Sequence, residues 1–362
     1  MSLTLAHHAE IKKINSFQGI NSFSDHEFVE SVDCLYSILA RYIRKTPLIY
    51  SDYYSNKFQC NLFLKLENLQ HTGSFKFRGA MAKAFSVWPD DNLQGFITAS
   101  SGNHGIGVAS AAKIMETRSK IYVPQITPEV KINKIKAYGG EVIIHGADWD
   151  EANFAALEES GKSNMVYFHP FADETVMRGQ ATIAKEILGS LPTTDTIVCS
   201  VGGGGLIAGM ARYGKSVKND LSFFGVETLG THSMSLSLLQ GKIRPLGQIS
   251  SIAESIAVRH VTPETFSHVK NLVEDVVAID DERTLAAQIE FLQHEKLLIE
   301  PSTSCCMAAL GHALGEEVKG KNVVVVVSGA NYSFEQFVET LKSYSWKSNE
   351  ALALELKVAN QI

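Results

Sequence analysis

From about residue 95 onward, short apolar runs rich in β-branched residues alternate with amphipathic stretches of helix length. This alternation predicts a parallel sheet whose strands are joined by crossover helices. The clearest predicted strands cover residues 121–123, 142–144, 196–199 and 323–327. The last of them consists of consecutive valines, which is typical of a central strand that is covered on both faces.

Turn and cap residues mark the helices between these strands. One helix is predicted over residues 128–138, with proline in its first turn and glycine just past its end. Another is predicted over residues 173–188 and is stopped by Gly189. Two stretches break the rhythm. Residues 1–30 are weakly patterned and are interpreted as an N-terminal extension, and residues 230–259 are interpreted as a surface excursion beside a site.

Composition and charge narrow the class of protein. The 362 residues are 45% hydrophobic and 20% charged, with a net charge of −6, which is ordinary for a globular chain of one or two domains. Basic residues are scattered among acidic ones, so no nucleic-acid partner is expected. No stretch approaches the roughly 20 apolar residues of a membrane span, so no membrane partner is expected either.

The cysteines and the N-terminus bear on the compartment. Five cysteines without CxxC spacing argue against a disulfide framework and against a zinc site. Residues 1–17 lack the unbroken apolar stretch of a signal peptide. The sequence therefore predicts a cytoplasmic protein.

Four segments carry candidate chemistry, and each follows a strand or extended run, where ligands bind in open α/β sheets. The first contains Lys76 between Phe75 and Phe77, in the run Thr-Gly-Ser-Phe-Lys-Phe-Arg-Gly-Ala. An apolar and electropositive setting near a helix start lowers the pKa of an amine and makes it a better nucleophile. A solvated lysine on a helix would fit the same residues, so Lys76 alone decides nothing.

The second segment is Ser100-Ser101-Gly102-Asn103-His104, between a strand end and an alanine-rich helix. Backbone amides and hydroxyls at a helix N-terminus form a cradle for a carboxylate. Ser and Asn are also common helix caps, and His104 on its own could equally be a packed, hydrogen-bonded histidine. The segment is therefore a candidate substrate site with a structural alternative.

The third segment is a run of four glycines, Gly202, Gly203, Gly204 and Gly205, followed by Leu206. Only glycine lets several backbone amides converge on one anion without side chains intervening, so the run predicts a phosphate cup. A flexible turn is the alternative. No lysine follows the glycines as it would in a nucleotide P-loop.

The fourth segment, Ser328-Gly329-Ala330-Asn331, directly follows the valine strand. It places a hydroxyl at the carboxyl edge of the sheet, although an ordinary turn would fit as well.

In this order and at these separations, the segments resemble the fold-type II pyridoxal-phosphate enzymes, specifically the threonine/serine dehydratase and serine racemase group. The resemblance spans about residues 46–344, and any one motif is weak while the ordered set is specific. Besides the four segments it includes Thr46-Pro47-Leu48, Lys65-Leu66-Glu67-Asn68, Gly179-Gln180-Ala181-Thr182-Ile183, Gly225-Val226-Glu227 and Glu300-Pro301.

The resemblance implies a role for each candidate residue toward pyridoxal 5'-phosphate. Lys76 would form the Schiff base and Phe75 would pack against the pyridine ring. Asn103 would bond the phenolic oxygen of the ring, residues 202–206 would hold the phosphate, and Ser328 would face the ring nitrogen. A serine hydroxyl keeps the pyridine less protonated than a carboxylate would, so the ring is a weaker electron sink and prompt loss of a β-leaving group is favoured.

The implied fold is α/β and tryptophan synthase β-like, with two domains that each contain a largely parallel sheet flanked by helices. Residues 31–92 and 171–345 would form a large cofactor-binding domain and residues 93–170 a small one, with residues 346–362 as a tail. The substrate carboxylate would bind at residues 100–104 and pull the small domain inward. The implied reaction is β-elimination of a β-hydroxy amino acid to a 2-oxo acid and ammonia.

Several positions depart from the family pattern. Ala253-Glu254-Ser255 replaces the usual Ala-Asp-Gly, Gly329-Ala330-Asn331 replaces Gly-Gly-Asn, and Ser302-Thr303-Ser304 replaces smaller residues after Glu-Pro. The divalent-metal site that some members have begins at the position of Glu227 and needs an acid near Ser233. Because serine stands there, no bound metal is expected.

Three other functions compete with the lyase. A racemase is the nearest, because Ser101 stands where that chemistry needs an acid opposite Lys76. A catalytically silent binder of cofactor or amino acid is opposed by the intact motifs. A nicotinamide-binding module is opposed by the absence of GxGxxG spacing. The expected partners are a small amino-acid substrate and further copies of the chain, in a homodimer or a higher homo-oligomer, since closed dimers are the commonest oligomers.

Overall fold

The structure is a computed structural model that describes residues 24–343, apart from residues 89 and 91. Most of the predicted extension and the predicted tail, residues 346–362, lie outside the described residues. The described residues form two compact units, one that ends at Asn331 and one that begins at Tyr332.

The strands of the described residues form two sheets, with the orders β1-β2-β10-β7-β8-β9 and β5-β4-β3-β6. Every pairing is parallel except that of β1 with β2. The strands are β1 Leu48–Tyr50, β2 Asn61–Lys65, β3 Gly95–Ala99, β4 Ser119–Val123, β5 Glu141–Ile144, β6 Met165–Tyr167, β7 Thr196–Ser200, β8 Ser222–Thr228, β9 Asp275–Ile279 and β10 Asn322–Val326.

The valine strand β10 lies inside the larger sheet, between β2 and β7. Its even-numbered valines pack into the apolar cluster that contains Ala181, and its odd-numbered valines, with Val327, pack into the cluster that contains Cys305. All five valines are fully buried. Successive side chains of a strand point to opposite faces, so the prediction of a strand covered on both faces is confirmed.

Helices connect the strands and cover the sheets. They are α1 Asp25–Leu39, α2 Asp52–Phe58, α3 Lys76–Ser86, α4 Asn103–Ile114, α5 Glu129–Ala137, α6 Trp149–Lys162, α7 Glu174–Ser190, α8 Gly205–Val217, α9 Ser233–Leu239, α10 Pro263–Leu272, α11 Asp281–Glu295, α12 Pro301–His312 and α13 Gly315–Val318, with short 3-10 helices at Glu67–Leu69, Leu229–Thr231 and Glu254–Ile256. All four strands of the smaller sheet, with α4, α5 and α6, fall within residues 93–170, the predicted small domain.

The two predicted helices are present, with one boundary changed. Pro128 is the N-cap of α5. Asp173 caps α7, because its carboxylate accepts hydrogen bonds from the backbone N–H of the second and third helical residues. The helix does not stop before Gly189 but continues through it to Ser190. A glycine in the last turn of a helix costs only about 1 kcal/mol, too little to end it.

Two segments without strong patterns are more ordered than predicted. Helix α1 begins at Asp25, and Phe28 on it is only 1% exposed, so the predicted boundary at residue 30 falls inside a core helix. Within residues 230–259, Met234 and Ala253 are fully buried. This region is therefore part of the core as well as the surface, because its short helices carry isolated apolar residues inward.

The second unit contains helix α14, Phe334–Ser343. Ser333 and Gln336 exchange hydrogen bonds between side chain and backbone at its start, which satisfies two polar groups that the helix leaves open. None of the described helices is long and apolar enough to cross a membrane.

Candidate active site

Lys76 is the first residue of α3, just beyond the carboxyl end of the central strands. The segment before it is fixed by a bridge between Ser74 and Gly329 and by a hydrogen bond from Phe75 N to Ser328 O, 3.1 Å long. The Lys76 Nζ donates to Pro170 O at 2.8 Å and lies 5.2 Å from the centre of the Phe75 ring. Burial lowers the pKa of Lys76 to about 8. A usable fraction of the amine is therefore neutral and nucleophilic near neutral pH.

A buried ionic cluster anchors the helix that carries Lys76. Arg78 pairs with Glu67 at 2.7 Å and with Glu186 at 2.9 Å, and Lys65 pairs with Glu186 at 2.5 Å. All four side chains are at most 1% exposed. Removing one partner of such a cluster leaves an unpaired buried charge at a cost of about 3–5 kcal/mol. The cluster therefore holds the start of α3 against β2 and α7.

The glycine run lies between β7 and α8, and close packing requires glycine at several of its positions. A Cβ added to Gly203 would lie 2.3 Å from Cγ of Phe171, and one added to Gly205 would lie 2.5 Å from Phe171 O. Gly204 has φ +89°, in the left-handed region. A flexible turn would not need glycine for close packing, so the glycine run is a packed turn and not merely a flexible one.

The same run leaves several amides available for an anion. The N–H groups of Gly202, Gly203 and Gly204 have no acceptor among the residues that the structure describes. They lie at the N-terminus of α8, a helix of 13 residues, whose dipole favours negative charge. This arrangement fits a phosphate group, since backbone amides and a helix N-terminus together make an anion site.

The loop at residues 100–104 joins β3 to α4, with Gly102 as the N-cap. His104 is buried, its Nε2 pairs with Phe168 O at 3.0 Å, and burial lowers its pKa to about 3, helped by the charge of Lys76. The His104 side chain is thus a packed neutral imidazole, as the structural alternative held, and only its backbone is available to a ligand. Ser100, Ser101 and Asn103 are only partly buried.

Asn103 is held by two residues to which the sequence motifs gave no role. Its Nδ2 lies 3.0 Å from both carboxylate oxygens of Glu300, and its Oδ1 accepts from Asn331 Nδ2. Asn331 N also donates to Glu300 at 2.7 Å, and Lys134 Nζ donates to Asn331 Oδ1 at 2.6 Å. Burial lowers the pKa of Lys134, and the carboxylate of Glu300 opposes this shift. The Glu-Pro start of a helix with small residues was the available signal for Glu300.

Ser328 follows the valine strand and is 4% exposed. Its hydroxyl lies 3.1 Å from Oγ1 of Thr303, which also accepts from Ser328 N at 3.1 Å. Thr303 is one of the positions that depart from the family pattern, and it orients the serine hydroxyl. The pair supplies hydroxyl groups, not a carboxylate, at this end of the site.

Glu227, at the family's metal position, instead holds a helix. Its carboxylate accepts from Met234 N at 2.9 Å and Ser235 N at 2.8 Å, at the start of α9. Burial raises the pKa of Glu227 to about 7, although these two N–H groups oppose the shift. Among the described residues, no group of three or more His, Cys, Asp or Glu side chains could hold a metal ion.

The segment after β6 connects the lysine to the glycine run. Pro170 accepts the hydrogen bond of Lys76, and the neighbouring Phe171 lies against Gly203 and Gly205. Phe75 and Ser328 are joined by a backbone hydrogen bond. The predicted residues from the first, third and fourth segments therefore converge. Asn103 of the second segment reaches the same strand ends through Glu300 and Asn331.

A buried lysine with a lowered pKa and free backbone amides at a helix N-terminus are features that suit an enzyme with a phosphate-bearing cofactor. The chain belongs to the pyridoxal-phosphate dependent enzyme family, whose model matches residues 39–329. The cofactor is pyridoxal 5'-phosphate, so the prediction from the ordered motifs is confirmed.

Individual relatives are close over most of the chain. An L-threonine ammonia-lyase of Geobacter sulfurreducens is 37% identical over 291 residues, which cover 80% of this chain and 72% of that protein. The structure of threonine deaminase isoform 2 from Solanum lycopersicum matches with a TM-score of 0.83 at 31% identity, covering 90% of this chain and 95% of that one. Maize serine racemase matches with a TM-score of 0.81 at 28% identity, covering 87% and 97%. The predicted fold-type II α/β class is confirmed.

Proposed function

We propose that this chain is a pyridoxal-phosphate-dependent ammonia-lyase that converts L-threonine or L-serine to a 2-oxo acid and ammonia. The observation that carries the proposal is the Lys76 amine, whose pKa burial lowers to about 8, next to a glycine cup with free amides. Relatives named threonine ammonia-lyase and threonine deaminase support the substrate class.

The residues present fit the cofactor. The amides of residues 202–206 would hold the phosphate, and Phe75 would pack on the ring. Asn103 would donate to the ring oxygen while Ser328, oriented by Thr303, faces the ring nitrogen. When bound, the cofactor links to the substrate amine and withdraws electrons from Cα, which makes the Cα proton removable.

The chain's own groups would bind the substrate and move its proton. The backbone amides and hydroxyls of residues 100–104 would hold the substrate carboxylate at the start of α4. Lys76, neutral in part near neutral pH, would take the Cα proton. Closure of residues 93–170 over the cleft as a small domain against a large one would exclude water from this step.

A racemase is the second candidate. It is favoured by the match to maize serine racemase and by Ser101, which is half-buried at the same loop and stands where an acid on the opposite face is needed. The two reactions diverge once the Cα proton has been removed. A lyase expels the β-hydroxyl, and a racemase returns a proton from the other side.

We further infer a homodimer, the commonest closed arrangement, and a cytoplasmic location. Free thiols at all five cysteines suit a reducing compartment.

The deciding experiment is a panel of amino acids incubated with the purified protein and scored for 2-oxo acid, ammonia and D-enantiomer. The proposal expects 2-oxo acid and ammonia in equal amounts from L-threonine or L-serine, and none with Lys76→Ala. Cofactor-loaded protein that gives neither product nor enantiomer with any amino acid would make the chain a silent binder.

A further inference from the structure

His169 belongs to the segment after β6 whose next two residues contact the lysine and the glycine run. It immediately precedes Pro170, whose carbonyl oxygen accepts the hydrogen bond of Lys76 Nζ at 2.8 Å. Its ring meets the ring of Phe171 edge-on, with centroids 4.6 Å apart at 90°. The imidazole therefore packs on the same Phe171 ring that lies against Gly203, and it is close enough to Lys76 for the charge of that lysine to act on it.

The hydrogen bonds of His169 determine its tautomer. The Nδ1 atom accepts from Phe171 N at 3.2 Å and from Ala172 N at 2.8 Å. A neutral imidazole carries one N–H, and an accepting nitrogen cannot be the one that carries it. The proton is therefore on Nε2, and the loop after β6 fixes it there.

The charge state agrees with this assignment. Burial lowers the pKa of His169 to about 4, and the charge of Lys76 lowers it further while Asp173 opposes the shift. The ring is consequently neutral at physiological pH. The side chain is partly buried, and no residue that the structure describes accepts a hydrogen bond from its Nε2–H, so an oriented donor is available to a ligand.

We propose that the Nε2–H of His169 binds the β-hydroxyl of the substrate and stabilises it as the leaving group. This proposal rests on the proposed β-elimination. When the Cβ–O bond breaks, both its electrons go to oxygen, which also gains a proton and leaves as water. One proton is removed from Cα by Lys76 and one is added to the leaving oxygen, so the elimination consumes no net proton. A neutral, oriented imidazole N–H aimed at the developing negative charge would lower the barrier without giving up its own proton.

The test compares leaving groups that do and do not need this help. Chloride leaves as a stable anion, so β-chloro-L-alanine is the reference substrate and L-serine the test substrate. In His169→Asn the side-chain oxygen can still accept the two backbone N–H groups, as asparagine does in turns, while the Nε2 donor is lost. In His169→Gln the amide nitrogen reaches the position of Nε2, while the Nδ1 acceptor is lost.

We expect His169→Asn to lower kcat/KM for L-serine about 100-fold, the usual effect of losing one oriented donor. Its kcat/KM for β-chloro-L-alanine should stay within about threefold of wild type. His169→Gln should recover most of the activity on L-serine but lower the thermal midpoint, because two backbone donors lose their acceptor. If His169→Asn does not fold, His169→Asp, which offers the same acceptor, replaces it.

Three outcomes would overturn the proposal. Equal losses on both substrates would make His169 a structural residue. If the ratio of kcat/KM between L-serine and β-chloro-L-alanine is unchanged and the cofactor binds more weakly, the Nε2–H of His169 donates to the phosphate instead. No loss on either substrate would leave the donor without a role. In each case wild-type lyase activity would stand, whereas a wild type that forms no 2-oxo acid from either substrate contradicts the proposed function itself.

Discussion

The side-chain amide of Asn103 lies 3.0 Å from both oxygens of Glu300, a residue 197 positions away in the sequence. Asn103 begins helix α4 beside the smaller sheet, and Glu300 precedes helix α12 beside the larger one. Glu300 is 4% exposed and Asn103 is partly buried, so the pair is a part-buried hydrogen bond to a carboxylate. Such bonds contribute about 1.5–3 kcal/mol each, enough to fix the orientation of the Asn103 amide.

Glu300→Ala should therefore impair the site without touching the reacting atoms. Loss of the acceptor releases Asn103 and Asn331, and we expect kcat to fall by about tenfold to 100-fold with weaker cofactor binding. Glu300→Gln keeps one acceptor oxygen and should be intermediate. Glu282→Gln, at an exposed glutamate of α11, is the control. Cofactor affinity and kcat of Glu300→Ala equal to wild type would show that the contact is incidental.

The lowered pKa of Lys76 predicts how fast the protein takes up its cofactor. Only the neutral amine can attack the aldehyde carbon of free pyridoxal 5'-phosphate. Because burial lowers the pKa of Lys76 to about 8, uptake by cofactor-free protein should speed up with pH and level off above about 8. Stopped-flow absorbance measures this rate, and Lys76→Ala should show no uptake. A rate that still rises at about pH 10, as for an exposed lysine, would be inconsistent with the buried setting.

Gly203 in the glycine run and Gly189 in helix α7 predict different effects of an added methyl group. Gly203→Ala should weaken cofactor binding strongly, since its Cβ would lie 2.3 Å from the Phe171 ring and beside the free amides. Gly189→Ala is the matched control, because nothing lies within 4 Å of its added Cβ and it is inside α7. It should leave binding unchanged and stabilise the fold by about 0.5–1 kcal/mol. Cofactor titration measures the effect on binding, and chemical denaturation measures the effect on stability. If Gly203→Ala binds the cofactor as tightly as wild type, the phosphate lies elsewhere.

The raised pKa of Glu227 predicts a pH-dependent stability. The carboxyl titrates at about 7 in the folded protein and near its ordinary 4.5 when unfolded. The folded state thus binds more protons between these values, so stability falls as pH rises through that window. At about 1.4 kcal/mol per pKa unit, the loss is on the order of 3 kcal/mol. Glu227→Gln still accepts a backbone N–H and should flatten this fall in urea midpoints measured between pH 5 and pH 8. If the urea midpoint of Glu227→Gln falls with pH as steeply as that of wild type, other groups cause the pH dependence.

Local patterns predicted the parts of the fold and site that are local in origin. The valine strand and the glycine run could be predicted because the signal lies in consecutive residues. A run of valines favours a strand covered on both faces, and a run of glycines allows the tight backbone turns of an anion site. Contacts between distant segments could not be predicted in this way. Glu300 bonds a residue 197 positions away, and Arg78 pairs with Glu186, 108 positions away. The two predicted boundaries that moved, at Gly189 and at residue 30, did so because tertiary packing outweighs weak local signals.

The balance between elimination and racemisation predicts a specific effect at Ser101. Ser328 is paired with the hydroxyl of Thr303, so the group facing the cofactor ring is a hydroxyl, the ring remains a weak electron sink, and loss of the β-hydroxyl should outrun reprotonation. We expect wild type to convert L-serine into more 2-oxo acid than D-serine. Ser101→Ala should then suppress D-serine at least about tenfold while 2-oxo acid changes by less than about threefold, provided that the loop amides still bind the carboxylate. Chiral chromatography and a coupled assay for 2-oxo acid measure both products from one incubation, and Ser100→Ala is the matched control on the same loop. If wild type forms mainly the D-amino acid, the racemase takes the place of the lyase as the function of this chain.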